Sequence, residues 1–233
     1  MKRNCIFVVN IGNFLTDYSR HSFLNACERW DCDYAEIHDF IRPGYASCSK
    51  HIGPSRLRGY HKLMMIDGDT VISDHAPNIF DNLNQENVLL AVGDYLQKPN
   101  HCEKWLVGPY KIGTSKVLTS HPKLKAPPPD TFVNGGMWVI TINADSLALF
   151  DKVMELLPEK PQKYMEQGVF NIALHNDPNI KLCLLDETWN HMIPAGEQPI
   201  QEYYINHFGG DARALLKSLA TKYEHAAKSG PQA

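Results

Sequence analysis

Long apolar runs are missing from this 233-residue sequence: no stretch approaches the roughly 18 consecutive apolar residues needed to cross a membrane as a helix. An integral membrane segment is therefore not expected. The short apolar run at residues 5–9 follows Met1-Lys2-Arg3-Asn4 directly, and it is too brief for a signal-peptide core and lacks a small-residue cleavage site. Charge of one sign is also missing. A formal net charge of -3 with scattered basic residues offers no strong field for nucleic acid or anionic lipid, so partners must be sought through local sites. The six cysteines contain no CxxC pair and no regular spacing, which argues against a structural zinc site or a disulfide framework and for reduced thiols in a cytoplasmic setting. There is no internal repeat and no low-complexity block. The length suits one domain, expected over residues 1–228, with a disordered tail at 229–233.

What is present is alternation. Apolar runs at 6–9, 34–37, 63–66 and 88–92 read as strands, and 16–30 between the first two has helical spacing. After the stiff loop containing Pro127-Pro128-Pro129, residues 137–142 read as a strand, 146–157 and 166–175 as helices, 180–185 and 203–208 as strands, and 212–227 as a closing helix. The total is about seven strands and five or six helices. Strands alternating with helices imply an α/β fold with a mixed, mainly parallel central sheet and ligands at the carboxyl ends of its strands.

The sharpest motif is Leu63-Met64-Met65-Ile66-Asp67-Gly68-Asp69-Thr70, a buried strand running into two carboxylates two residues apart. In extended chain such residues share a face, so the pair can converge on a hard divalent cation bridging to substrate phosphates. The same letters resemble the Asp-x-Asp signature of the haloacid dehalogenase phosphatases. That chemistry needs a second acidic cluster downstream, and neither Gly93-Asp94 nor Gly210-Asp211 continues into one.

Four later motifs follow in order: Asn134-Gly135-Gly136 within 132–140, Glu166-Gln167 opening a helix, Trp189-Asn190, and His207-Phe208-Gly209-Gly210. With the Asp-x-Asp, the series resembles the GT-A (Rossmann-like nucleotide-diphospho-sugar transferase) glycosyltransferases of family eight, which includes glycogenin and bacterial lipopolysaccharide galactosyl- and glucosyltransferases. The resemblance spans about residues 4–215. It implies a metal-dependent, retaining transfer from a uridine diphosphate sugar to a glycan, lipid-linked or protein acceptor. A catalytically silent sugar-nucleotide or glycan-binding module is the alternative within the same fold. Asp67, Asp69 and His207 would hold the metal, manganese by its tolerance of mixed oxygen and imidazole ligation, with magnesium the alternative.

The resemblance also implies roles around the donor. Asp67 would reach the ribose, and Asn134, Glu166 and Gln167 would face the transferred sugar. Asn134-Gly135-Gly136 reads as lying between the proline-rich loop and its strand, where the small residues permit close backbone approach, an ordinary turn being the alternative. The family's closing lysine, which meets the phosphates, corresponds to Arg213, spaced from His207 and Gly210 as in the family motif, although Ala214-Leu215 replace Pro-Trp. Arg56, in a short helix at 54–59, is the expected nucleotide-facing cation, with Arg58 and Lys62 as competitors. Tyr18, Tyr95 and Tyr110 are candidates to stack on a base, and Asp186 and Glu187 could border the acceptor groove.

Overall fold

The computed structural model describes residues 3–12, 15–40, 46–94, 109–159, 165–194, 196–199 and 201–229; at 109–114 and 225–229 it describes the backbone alone. A six-stranded sheet has the order β2-β1-β3-β6-β5-β7. Its strands are β1 (Cys5–Val9), β2 (Asp33–Ile37), β3 (Lys62–Ile66), β5 (Val88–Gly93), β6 (Val133–Thr141) and β7 (Lys181–Leu185). β6 runs antiparallel to both its neighbours, and the other pairings are parallel. A second sheet of three short strands, ordered β4-β9-β8, joins β4 (Thr70–Ile72), β8 (His191–Met192) and β9 (Ile205–His207). The helices are α1 (Asp17–Trp30), α2 (Gly53–Arg56), α3 (Pro109–Ser120), α4 (Ala144–Leu156), α5 (Met165–His175) and α6 (Arg213–Ser229).

Both faces of the large sheet are covered, which is why its central strands read as unbroken apolar runs instead of alternating ones. In β3 the side chains of Leu63 and Met65 join the core containing Trp138, Phe150 and Phe170, while Met64 and Ile66 join the opposite core with Phe23, Trp30 and Phe80. α1 starts where Thr16 accepts a hydrogen bond from the Ser19 N–H at 3.1 Å. It ends at Asp31, in the left-handed region with φ of 46°.

Three expectations need correction. β6 begins at Val133, so Asn134-Gly135-Gly136 lies inside the strand and not in a turn before it. The glycines suggest a turn locally, but Asn171 of α5 clamps the strand's start: Val133 N–H donates to Asn171 Oδ1 at 2.7 Å and Asn171 Nδ2 donates to Val133 O at 3.0 Å. The strand count rises from seven because β4 and β8, three and two residues long, are too short to show a period. Ser229 closes α6 instead of opening a tail, and 230–233 lie outside the described residues. No helix among the described residues is long and apolar enough to cross a membrane.

Beside the carboxyl ends of β1 and β2, Glu36 accepts from Asn10 Nδ2 (2.7 Å), Arg20 Nε (2.8 Å) and the Tyr34 hydroxyl (2.9 Å), with His38 at 3.6 Å. Burial pushes this carboxyl up, but the hydrogen bonds from Arg20, Asn10 and Tyr34 outweigh it and hold it down to about 2, from 4.5. A depressed carboxyl contributes stability that is complete above the unfolded value and lost as pH falls through the folded one. Unfolding midpoints should therefore drop as pH falls from 4.5 to about 2, and Glu36→Gln should flatten that limb of a melting-temperature titration. An acid limb unchanged in the variant would assign the loss to other carboxylates.

Candidate active site

The Asp-x-Asp residues occupy the turn between β3 and β4, so they converge by a reversal of the chain and not by the extended geometry expected. Thr70 braces this turn, its N–H and hydroxyl donating to Asp67 O at 3.2 and 2.7 Å. Each aspartate is tied to a different sheet. Asp67 N–H donates to Gly136 O at 2.8 Å, prolonging the β3–β6 pairing, while Phe208 N–H donates to Asp69 O at 2.7 Å, prolonging β4–β9. Because Thr70 pairs with His207 across β4 and β9, the second sheet carries the histidine to the turn. Ligand atoms of Asp67, Asp69 and His207 lie within 4.8 Å of one another, and no other group of three or more His, Cys, Asp or Glu among the described residues is so placed.

Glycine is required where the ring arrives. A Cβ built on Gly136 would fall 2.4 Å from His207 Cε1 and 2.7 Å from Nδ1, so the imidazole packs directly on the strand backbone. A Cβ on Gly135 would meet Gln167 Oε1 at 3.2 Å, which places Gln167 over that glycine. Gly210 adopts φ of 61°, a left-handed turn suited to glycine, and leads into α6 at Arg213.

Asp69 is buried and held on both oxygens: His207 Nε2 lies 3.3 Å from Oδ1, and Arg213 Nε donates to Oδ2 at 2.7 Å. Burial pushes its carboxyl up, but His207 in its charged form and the Arg213 guanidinium reverse this and hold it well below the usual carboxylate range.

Asp67 accepts from Lys50, a buried cation that the sequence reading missed. Lys50 Nζ donates to Asp67 Oδ1 at 3.0 Å and to Gly135 O at 2.8 Å, and its side chain is only 6% exposed. It leaves a 3-10 segment, Ala46–Ile52, whose next residue His51 packs beside both Phe150 and Phe170, with ring centroids 6.2 and 5.3 Å away. Burial, with Lys50 alongside, lowers His51 to about 3, so it packs there as a neutral ring. Nothing in Ser49-Lys50-His51 read by itself distinguishes this lysine from a surface one. Arg56, the expected cation, instead lies at the surface 3.5 Å from Asp39 Oδ2, and Lys62 Nζ donates to Phe80 O.

Glu166 and Gln167 lie in the first turn of α5. Glu166 is 5% exposed, and among the described residues neither its Oε2 nor Gln167 Nε2 has a hydrogen-bond partner. Burial raises the Glu166 carboxyl, with nearby Lys50 opposing. Asn134 is nearby in β6, its amide engaged by Asp94, Gly136 and Asn190. Asp186 caps its own turn by accepting from Thr188 N–H at 3.0 Å, and Glu187 accepts from the Tyr203 hydroxyl at 3.2 Å. Tyr18 packs on Tyr223 with ring centroids 5.6 Å apart. Tyr95 and the Tyr110 side chain lie outside the described residues.

The family model for nucleotide-diphospho-sugar transferases matches residues 57–193, more than half of the chain. The chain belongs to that family. It is a glycosyltransferase, and the phosphatase alternative is set aside. Among solved structures, this nucleotide-diphospho-sugar transferase is similar to the WbbM bifunctional glycosyltransferase, at 14% identity and a TM-score of 0.60 over 90% of this chain. It spans only 46% of that longer chain. It is also similar to a glycosyltransferase involved in glycosylation of the major capsid of PBCV-1, at 13% identity and a TM-score of 0.60, covering 94% of this chain and 99% of that one. The galactosyltransferase LgtC in complex with donor and acceptor sugar analogs aligns at 10% identity and a TM-score of 0.55, covering 94% and 95%. These likenesses establish the GT-A fold of this transferase. A search of curated proteins finds no match.

The side chains present fit a divalent cation. Two carboxylates and an imidazole converge, and a neutral His207 ring with its proton on Nδ1 would turn a lone pair toward Asp69, an arrangement that a cation between them relieves.

Proposed function

We propose that this enzyme transfers a sugar from a uridine diphosphate donor to a hydroxyl of a glycan, lipid-linked or protein acceptor, with retention at the anomeric carbon, as in family eight. Asp67, Asp69 and His207 would hold manganese, or magnesium in its place. The observation that carries this reading is the convergence of those three ligands at the carboxyl end of β3 in a nucleotide-diphospho-sugar transferase. When bound, the cation supplies neutralising charge for the diphosphate that departs.

The protein's own groups supply the rest. Lys50 offsets the charge of the half-buried Asp67 and the buried Glu166, so that the two carboxylates tolerate one another. Arg213, at the N-terminus of α6 and already on Asp69, presents a guanidinium suited to a diphosphate in bidentate fashion. The buried Glu166 Oε2 and Gln167 Nε2 lack partners among the described residues, as expected of groups that meet sugar hydroxyls.

Thermal-shift titration with uridine diphosphate, with and without manganese, tests the site. Binding at a hundredfold excess over Kd adds about 2.7 kcal/mol of apparent stability. The shift should vanish with chelator and return with manganese. Arg213→Ala should weaken binding of the nucleotide itself, by about 1.5–3 kcal/mol for a charged hydrogen bond. A donor panel then separates a transferase from a silent binding module, and proton NMR of the first product reads its anomeric configuration. A shift indifferent to chelator would remove the metal from the proposal.

A further inference from the structure

A row of buried side chains runs from the floor of β5 to the back of His207. Asp94, just past β5, accepts from Asn134 Nδ2 at 2.9 Å. Asn134 Oδ1 accepts from the Gly136 N–H at 2.8 Å and from Asn190 Nδ2 at 3.1 Å. Asn190 Oδ1 lies 3.0 Å from His207 Nδ1. All four side chains belong to buried residues, with Asn190 fully so.

The direction of this row is fixed at its far end. A backbone N–H can only donate, so Asn134 must turn its oxygen toward Gly136, and its amino group then faces Asp94, a carboxylate able to accept. Asn190 must consequently offer its amino group to Asn134 and its oxygen to His207. An amide oxygen only accepts. His207 Nδ1 must therefore carry a hydrogen, and in the neutral ring Nε2 is the bare nitrogen, the one that faces Asp69 at 3.3 Å. Gly136 adds a steric constraint, since the imidazole rests on its backbone with no space for a Cβ.

We infer that Asn190 is a positioning residue that sets the tautomer and orientation of His207, with Asn134 and Asp94 anchoring its direction, so that Nε2 is held bare toward Asp67 and Asp69. The tautomer follows from hydrogen bonds alone; its value for metal binding rests on the metal site proposed above. Outer partners of this kind commonly change metal affinity by about 10–100-fold.

The test is nitrogen-15 NMR of the histidine rings in the metal-free protein, at a pH where the imidazoles are neutral, with His207 identified by the signal lost in His207→Gln. Nδ1 should resonate as a protonated nitrogen and Nε2 as a bare one. Asn190→Asp, whose carboxylate still accepts, should keep that tautomer. Asn190→Leu should populate the other and raise the manganese Kd by about 10–100-fold in calorimetry. A protonated Nε2 in the unsubstituted protein overturns the inference, whether or not either variant folds, and so does an Asn190→Leu protein that keeps both tautomer and affinity. If the tautomer is as stated but manganese does not bind, the metal reading falls and the positioning role stands.

Discussion

The substitution Asp69→Asn is expected to lower turnover by about 10²–10³-fold or more, the scale seen when one preorganised electrostatic contact to a developing charge is removed. The shape at position 69 is conserved, and what changes is charge. Both oxygens of Asp69 already meet cationic or polar partners, His207 Nε2 at 3.3 Å and Arg213 Nε at 2.7 Å, so the amide would weaken the field that the whole cluster shares. The fold should survive: the backbone bond from Phe208 to Asp69 O that ties the turn to β9 does not involve the side chain. Steady-state transfer assays beside thermal melts check both halves. Full activity of this variant in the presence of chelator would remove both the metal and Asp69 from the mechanism.

Lys50→Met should have the largest effect on stability. Breaking a buried ion pair by deleting one partner costs about 3–5 kcal/mol, because the remaining charge is left uncompensated. For a domain of this size each kcal/mol is about 2–4 °C in melting temperature. Lys50 is buried against Asp67, and Glu166, buried close by, is already pushed up by desolvation with Lys50 opposing. Removing the ammonium raises the Glu166 carboxyl further. A carboxyl raised in the folded state contributes stability that is present below its unfolded value and lost as pH rises through the folded one. The destabilisation should therefore be small in mild acid and grow toward neutral pH. Urea melts of both proteins across that range decide it: a difference that is flat with pH would mean that Lys50 acts through packing and not through charge.

The separation between what is legible along the chain and what is not follows from interaction range. β1, β3, β5 and α1 were readable because burial on both sheet faces leaves continuous apolar runs, and because residues 16–30 carry helical spacing. Asp67 and Asp69 were readable because two acids after a buried strand serve no packing purpose. Their convergence was predicted for the wrong reason, since a turn and not extended chain brings them together. Asn134-Gly135-Gly136 reads as lying outside the strand because glycine is ambiguous by itself: only the arrival of His207 and Gln167 over those backbones shows why side chains are excluded from the middle of a strand.

The candidacy of His207 came from the family resemblance, while the sequence by itself determined the α/β alternation and the placement of two carboxylates at the end of a buried strand. Those depend on periodicity and on residue chemistry within a few positions of each other. The tertiary structure alone decided which cation lies beside Asp67. Arg56 and Lys50 are both basic residues shortly before β3, yet Lys50 points inward to Asp67 next to His51 on the Phe150 and Phe170 rings, while Arg56 stays at the surface beside Asp39. It also decided the row from Asp94 to His207, because a hydrogen bond's direction depends on what its last donor or acceptor can do, and the members of that row come from β6, β9 and the segments that follow β5 and β7.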